Sequence, residues 1–506
     1  MKRIFLSLFA VAALSVSAQQ INPITQATLN AYAELLSENP EDYETYYDRA
    51  AQYYQLGMYD DALDDITKAI RFSPSKDKDV KSKDYTLLTN ILVEKGEYGK
   101  ALESVDAALS FTPNNYALLY QKGNICLHLD ALKGARNAFN AMQRMQPRSQ
   151  EALIGLARVD IMEKKYEDAH EKIKAADELN SSSAITYSRI GDLFREMGDN
   201  NEAARRYLTA FALADTNDIR PMSSLLDLAR TDYAAVQNAL DFGISRTPKT
   251  LPLYFLKGNI AFETGHYLDA VDAFTSLLAK EDGQQAPVYD RMAQTLLALN
   301  RTPEAIPFSD KAVSMEPDSY NKLTRARAAH ANGDNAKALS LAKEVEAENK
   351  LAIDALVLAA EANMDMNNFR EAVNNLNEAV MLDGSQLYPL MMRAWIYKNK
   401  LNDSAKAQAD YKRAAASNNS DIKSLAMKAM AQTAIDRQLD SSMTLADAAK
   451  HAVSPEDFYW MAVGYSQSGN PERAKEMLAK ARQLGYQNLY NLDKNNTANL
   501  NIAPIR

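Results

Sequence analysis

Asn90, Asn124, Arg158 and Asp192 stand 34 residues apart, one after the next, and Tyr120, Arg189 and Arg195 lie near them in the chain. An asparagine amide offers a donor and an acceptor together, so a row of them can hold the main chain of an extended peptide, while arginine can take a carboxylate. A solvated helix face with no ligand accounts for the same residues equally well, since polar side chains belong at surfaces. Catalytic and metal chemistry is thin. His128, His170, His266, His330 and His451 are scattered with no second histidine at helical ligand spacing, and Cys126 is the single thiol. That excludes a disulfide framework within the chain and any zinc site built on several thiolates. Gly464-Tyr465-Ser466-Gln467-Ser468-Gly469 misses the Gly-x-Ser-x-Gly spacing of a nucleophile elbow by one residue. No phosphate-binding glycine loop occurs. These residues point to a binding protein without cofactor or metal, and not to an enzyme.

The elements that carry them are helices. Among 506 residues, 46% are apolar and 24% charged, and 17 glycines and 16 prolines are too few for a fold rich in tight turns. A formal net charge of −9 disfavours nucleic acid as a partner, because phosphate neutralisation needs clustered Lys and Arg. The first residues, MKRIFLSLFAVAALSVSAQQ, join a basic start to a short apolar stretch ending at Val16-Ser17-Ala18. This reads as a signal peptide over 1–18, cut after Ala18 and too short to span a bilayer. The mature chain is expected to be exported, to the periplasm first and outside the cell second, with no transmembrane span.

A period runs through the remainder. Gly57-Met58-Tyr59-Asp60-Asp61-Ala62 recurs as Gly96-Glu97-Tyr98-Gly99-Lys100-Ala101 and Gly265-His266-Tyr267-Leu268-Asp269-Ala270, with looser copies elsewhere. From Ala62 the successive alanines Ala101, Ala135, Ala169, Ala203, Ala270, Ala305, Ala338, Ala372, Ala407 and Ala474 are spaced by 39, 34, 34, 34, 67, 35, 33, 34, 35 and 67 residues. Each 67 hides one further unit, so thirteen repeats cover about residues 43 to 488. Each repeat reads as two helices: Leu119, Gly123 and Cys126 share one face, then Ala135, Phe139 and Met142 share the next. A small residue on the first helix and the alanine on the second let the pair approach closely, and Pro74, Pro113, Pro147 and Pro317 end second helices. One such hairpin leaves apolar faces exposed, so hairpins must stack.

These units resemble tetratricopeptide repeats. Tyr187, Ile190, Gly191, Phe194, Ala203, Tyr207 and Phe211 carry that pattern in 184–217, and Tyr85, Leu88, Leu92, Ala101, Val105, Ala108 and Pro113 carry it in 82–115. The resemblance implies an all-α, right-handed superhelical solenoid of about thirteen hairpins. It also places Asn90, Asn124, Arg158 and Asp192 in one row along a concave groove, with Tyr120, Arg189 and Arg195 nearby. The family's two-carboxylate clamp for chaperone tails is disfavoured, because Thr86, Glu151 and Gly155 stand where its cations are required.

Residues 19–42 are expected to form an N-terminal capping helix, with Thr28, Tyr32 and Leu35 placed as in a second helix, and 43–217 the first five repeats. Residues 218–250, opened by Pro221, read as a degenerate repeat and candidate hinge, and 251–488 as repeats seven to thirteen, with 421–454 degenerate. Pro307 should kink its helix, and 489–506 form a polar tail. Between Glu34 and Asp65 stand ten acids and one base, Arg49, either a salt-bridged surface or an acidic face for a basic partner. The function expected is a scaffold or adaptor that binds protein or peptide partners through the groove. The alternative is a structural subunit of an envelope assembly that makes contact by its edges or convex face.

Overall fold

Several first helices start where a side chain satisfies their open backbone donors. Asp42, Asn115 and Ser149 accept hydrogen bonds from the N–H groups of Thr45, Leu118 and Ala152, three residues on. The turn into the second helix needs one residue in the left-handed region, and Gly57, Gly96, Gly198, Gly265, Gly333 and Gly469 supply it at φ between 72° and 83°. Where glycine is missing, Asp130, Lys164, Asn300, Asn367 and Asn402 take the same conformation at φ between 52° and 62°. In these five hairpins the turn is therefore kept without the glycine.

The computed structural model describes residues 23–179, 182–215, 218–247, 251–348, 352–419, 421–435, 445–446, 452, 455–467 and 469–483. The expected signal peptide, His451 and the polar tail beyond 488 lie outside them. Among the described residues all regular structure is helical. The chain divides into two compact units, Met1–Ser224 and Leu225–Arg506. In the first, the helix Pro23–Glu38 packs on the hairpin Tyr43–Gln55 with Tyr59–Phe72. Four more hairpins follow: Lys78–Glu94 with Tyr98–Phe111, Tyr116–His128 with Leu132–Met145, Gln150–Met162 with Tyr166–Asp177, and Ala184–Glu196 with Asn200–Leu213. The division between the units falls within the short first helix of the sixth hairpin, Arg220–Ala229, whose second helix, Tyr233–Arg246, belongs to the second unit.

The second unit continues with Leu251–Glu263 and Tyr267–Leu278, Ala286–Ala298 and Thr302–Met315, Ser319–Ala331 and Asn335–Ala347, Ala352–Asp365 and Phe369–Leu382, and Leu387–Asn399 and Ser404–Ala415. Ile422–Ala434 opens the twelfth, whose second helix falls mostly outside the described residues, and Pro455–Gln467 with Pro471–Gln483 is the thirteenth. Each unit is thus an all-α solenoid segment of stacked hairpins. The helix Thr302–Met315 runs through Pro307 without a break.

All eleven periodic alanines are buried, none above 2% exposed. The unit hidden between Ala203 and Ala270 has Val236 in the same place, four residues into its second helix and fully buried. The N-terminal helix corrects one expectation: Leu29 and Leu36 face the core, while Leu35 is 49% exposed. Helix contacts follow the position of the neighbouring hairpin, and that direction is not written in the lone helix itself.

Lys164 and Gly198 allow the turn to be tested without disturbing packing, since Lys164 is exposed and a Cβ on Gly198 would meet nothing within 4 Å. Lys164→Gly should raise stability by about 1 kcal/mol, and Gly198→Ala should lower it by a similar amount. Urea unfolding followed by circular dichroism reads both. Equal midpoints for the three proteins would show that the left-handed turn carries no strain.

Candidate functional site

Asn90, Asn124, Arg158 and Asp192 each precede the buried alanine of their repeat by eleven residues, so hairpins two to five of the first unit present them at one repeat position of the first helix. This face is the inner side of a curved stack. The Arg189 guanidinium, from hairpin five, lies 5.5 Å from the centroid of the Tyr120 ring, from hairpin three, so the two meet across hairpin four. Asn90 accepts a hydrogen bond from the Gln121 amide one repeat on. Arg158 pairs with Glu196 of the next repeat at 2.9 Å. Asn124 is half-buried and makes no side-chain hydrogen bond among the described residues. Asp192 turns towards its own hairpin, where it accepts from the Tyr207 hydroxyl at 2.8 Å. Burial and the Asp192 charge raise the Tyr207 phenol above its ordinary value, against the nearby cation of Arg195, which is itself exposed.

Several polar atoms on this face remain unmet. Gln121 Oε1 and Arg158 Nε are buried without a hydrogen-bond partner, an acceptor and a donor left unmet. At the N-terminal end of the row, Tyr47, Lys83, Thr86, Asn90 and Asn115 line a cleft of about 360 Å³, and the Lys83 ammonium sits 3.9 Å from the Tyr47 ring centroid.

The second unit carries a cluster that the opening row missed. Arg327 and Glu361 also precede their alanines, Ala338 and Ala372, by eleven residues, so extending the count would have found them. They line a cleft of about 280 Å³ with Asp354, Val357, Tyr388 and Lys423. The Tyr388 hydroxyl donates to Glu361 Oε1 at 2.5 Å, and His330 Nε2 lies 3.2 Å from Asp365 Oδ2. Burial pushes the Glu361 carboxyl above the usual range, opposed by the Tyr388 hydrogen bond and by His330, Arg327 and Lys423.

The candidate nucleophiles and ligands are occupied by packing. Cys126 is buried, and burial raises its thiol pKa, which keeps it protonated. His128 stacks on Tyr98 at 4.4 Å, His170 meets the edge of Phe194 at 6.0 Å, and His266 stacks on Tyr233 at 3.5 Å. Among the described residues no group of three or more His, Cys, Asp or Glu is placed to hold a metal ion. The N-terminal charge run is partly paired internally: Asp65 holds Arg49 through two hydrogen bonds of 2.6 and 2.8 Å, and Asp64 holds Lys68 at 2.6 Å. No helix among the described residues is long and apolar enough to cross a membrane.

A stack of 34-residue helical hairpins defines an all-α repeat protein. Residues 87–149 match the family model described as tetratricopeptide repeat. Proteins of this family act as protein–protein interaction scaffolds. The chain is 36% identical over 88 residues to the Hsp70-Hsp90 organizing protein of Triticum aestivum, which covers 17% of this chain and 14% of that one. It is 23% identical over 239 residues to the BBSome complex member BBS4 of Bos taurus, covering 46% and 44%. The chain therefore spans less than half the length of these relatives. Among solved structures, yeast Tom70 is similar at a TM-score of 0.37 and 15% identity over 87% of this chain and 99% of that one. A tetratricopeptide repeat protein from Parabacteroides merdae is similar at 0.30 and 20% identity, over 56% and 98%.

The first helices are also tied by a buried carboxylate. Asp290 is fully buried, accepts from Gln294 Nε2 at 2.7 Å on Oδ2 and leaves Oδ1 without a partner; Gln294 reaches Thr324 of the next repeat at 3.3 Å. Burial pushes its pKa up to about 6, against a hydrogen bond from Thr324 and the charge of Arg291. An unfolded aspartate titrates near about 3.9, so Asp290 supports folding while protonated, and that support is lost as pH rises from about 4 through 6. Asp290→Asn should raise stability at pH 7 by on the order of 1–2 kcal/mol and flatten its pH dependence between about 4 and 6. Urea unfolding across that range checks it; an unchanged slope would mean the carboxylate stays ionised and solvated.

Proposed function

We propose that the protein is a non-catalytic, exported scaffold that binds an extended protein or peptide segment along the first-helix face of hairpins two to five. The observation that carries this reading is the pair of buried, unpartnered atoms on that face, Gln121 Oε1 and Arg158 Nε, beside Asn90 and Asn124. A peptide main chain offers donors and acceptors at regular intervals and would satisfy them. The Tyr120 ring and the Arg189 guanidinium add a platform for an apolar or carboxylate side chain. Because such a groove works through many shallow contacts, affinity for any one partner is expected to be modest. Export rests on residues 1–18, whose removal would leave Gln19 first.

Crosslinking the tagged chain in its native compartment, with partners quantified by mass spectrometry, tests both parts. Asn90→Ala, Asn124→Ala and Arg158→Ala together should reduce partner capture by about tenfold or more while helicity is retained. Undiminished capture would move the contact to the edges or the convex face, as a structural subunit of an envelope assembly would require. A mature chain that still begins at Met1 would refute export by cleavage.

A further inference from the structure

A further cleft lies on the other side of the hairpins, within the second unit and away from any first-helix row. It encloses about 620 Å³ between the second helices of hairpins six and seven, and Tyr254 and Lys257 of the intervening first helix also line it. That volume is within the range of small-ligand pockets. Its charge is unbalanced. Asp241, Asp269 and Asp272 face it against a single lining lysine, Lys257, and that ammonium is already held by Asp241. Asp269 is oriented by the Tyr233 hydroxyl, which donates to Oδ2 at 2.8 Å, and the Tyr233 ring is fixed in turn by stacking on His266 at 3.5 Å. Asp272, one turn further along the same helix, has no ion pair among the described residues.

The lining also contains an unmet amide. Both Oε1 and Nε2 of Gln237 are shielded from solvent and have no hydrogen-bond partner. Leaving such a group unpaired is unfavourable, and a ligand bearing both a donor and an acceptor would relieve it once the side chain turns its amide into the cleft that it lines. A peptide unit is such a ligand. The Tyr254 ring already has the Lys280 ammonium 4.7 Å from its centroid, so the place for an incoming cation is at Asp269 and Asp272. We propose that this cleft is a second binding site, which takes a peptide segment bearing arginine or lysine: the main-chain amide pairs with Gln237, and the cationic side chain with Asp269 and Asp272. It does not depend on the groove of the first unit, and both could be filled at once.

Isothermal titration calorimetry of the full mature chain with acetyl-Ala-Arg-Ala-amide tests this, with the citrulline peptide as the neutral control. The arginine peptide should bind, and the citrulline peptide should bind at least about tenfold more weakly. Asp269→Asn with Asp272→Asn should weaken the arginine peptide about tenfold or more, and Gln237→Leu about fivefold. Asp272→Asn alone, at an exposed position, should weaken it severalfold and guards against misfolding of the double variant, which circular dichroism also checks. The triple groove variant should bind the peptide like the unaltered chain. Absence of binding, equal affinity for the citrulline peptide, indifference to the aspartate and Gln237 changes, or loss of binding in the groove variant would each overturn the proposal.

Discussion

The whole array depends on how closely the two helices of a hairpin can approach, and an aromatic ring laid against a residue without a side chain sets that distance. Phe139, Tyr207 and Phe274 are fully buried on second helices, and each faces the glycine sixteen residues earlier: Gly123, Gly191 and Gly258. A Cβ on those glycines would fall 2.4 to 2.6 Å from the ring, closer than any carbon contact allows. Phe139 does this twice, because Gly155 of the next hairpin would place a Cβ within 2.5 Å of the same ring. One side chain therefore sets both the closure of its own hairpin and the seating of its neighbour. The buried alanines act from the second helix in the same way, and a repeat position that is constant in geometry follows from them.

Constant geometry is what turns a sequence period into a surface. Eleven residues before each alanine, side chains come to one repeat position of the first helix, so Asn90, Asn124 and Arg158 form a row, as do Arg327 and Glu361 in the second unit. Other recurrent charges have a different use. Arg49 and Arg393 bond Asp65 and Asp410 of their own second helices, at 2.6 and 2.7 Å, and Arg325 bonds Asp310 of the preceding hairpin. These arginines are half-buried or buried and already hold a carboxylate, so they fasten helices to one another. Arg158 differs because it pairs with an exposed glutamate and still has an unmet Nε–H.

Burial also separates reactive from structural groups. The Cys126 thiol is kept protonated, and three of the histidines, His128, His170 and His266, lie against aromatic rings. The polar groups whose partners are incomplete are amides, guanidinium groups and carboxylates. That distinction could not be drawn from residue types, since Asn90 is bonded to Gln121 while Asn124, at the same position, is not. It depends on which residue the next repeat brings opposite.

The sequence by itself determined the helical class, the period, the turn and the small-residue positions, because backbone conformation and close packing act on residues near one another in the chain. Ala62 to Ala474 could be counted, and Val236 escaped the count only because valine fills the alanine's place without changing the hairpin. Tertiary structure decided what depends on the angle between successive hairpins: that Leu36 rather than Leu35 meets the core, that Tyr120 reaches Arg189 across a whole repeat, and that Tyr233, Gln237 and Asp269 surround one cleft. Small rotations between hairpins accumulate along a stack, and they arise from the summed shapes of many buried side chains. No single motif records that sum, so the row of candidate residues was legible while their partners were not.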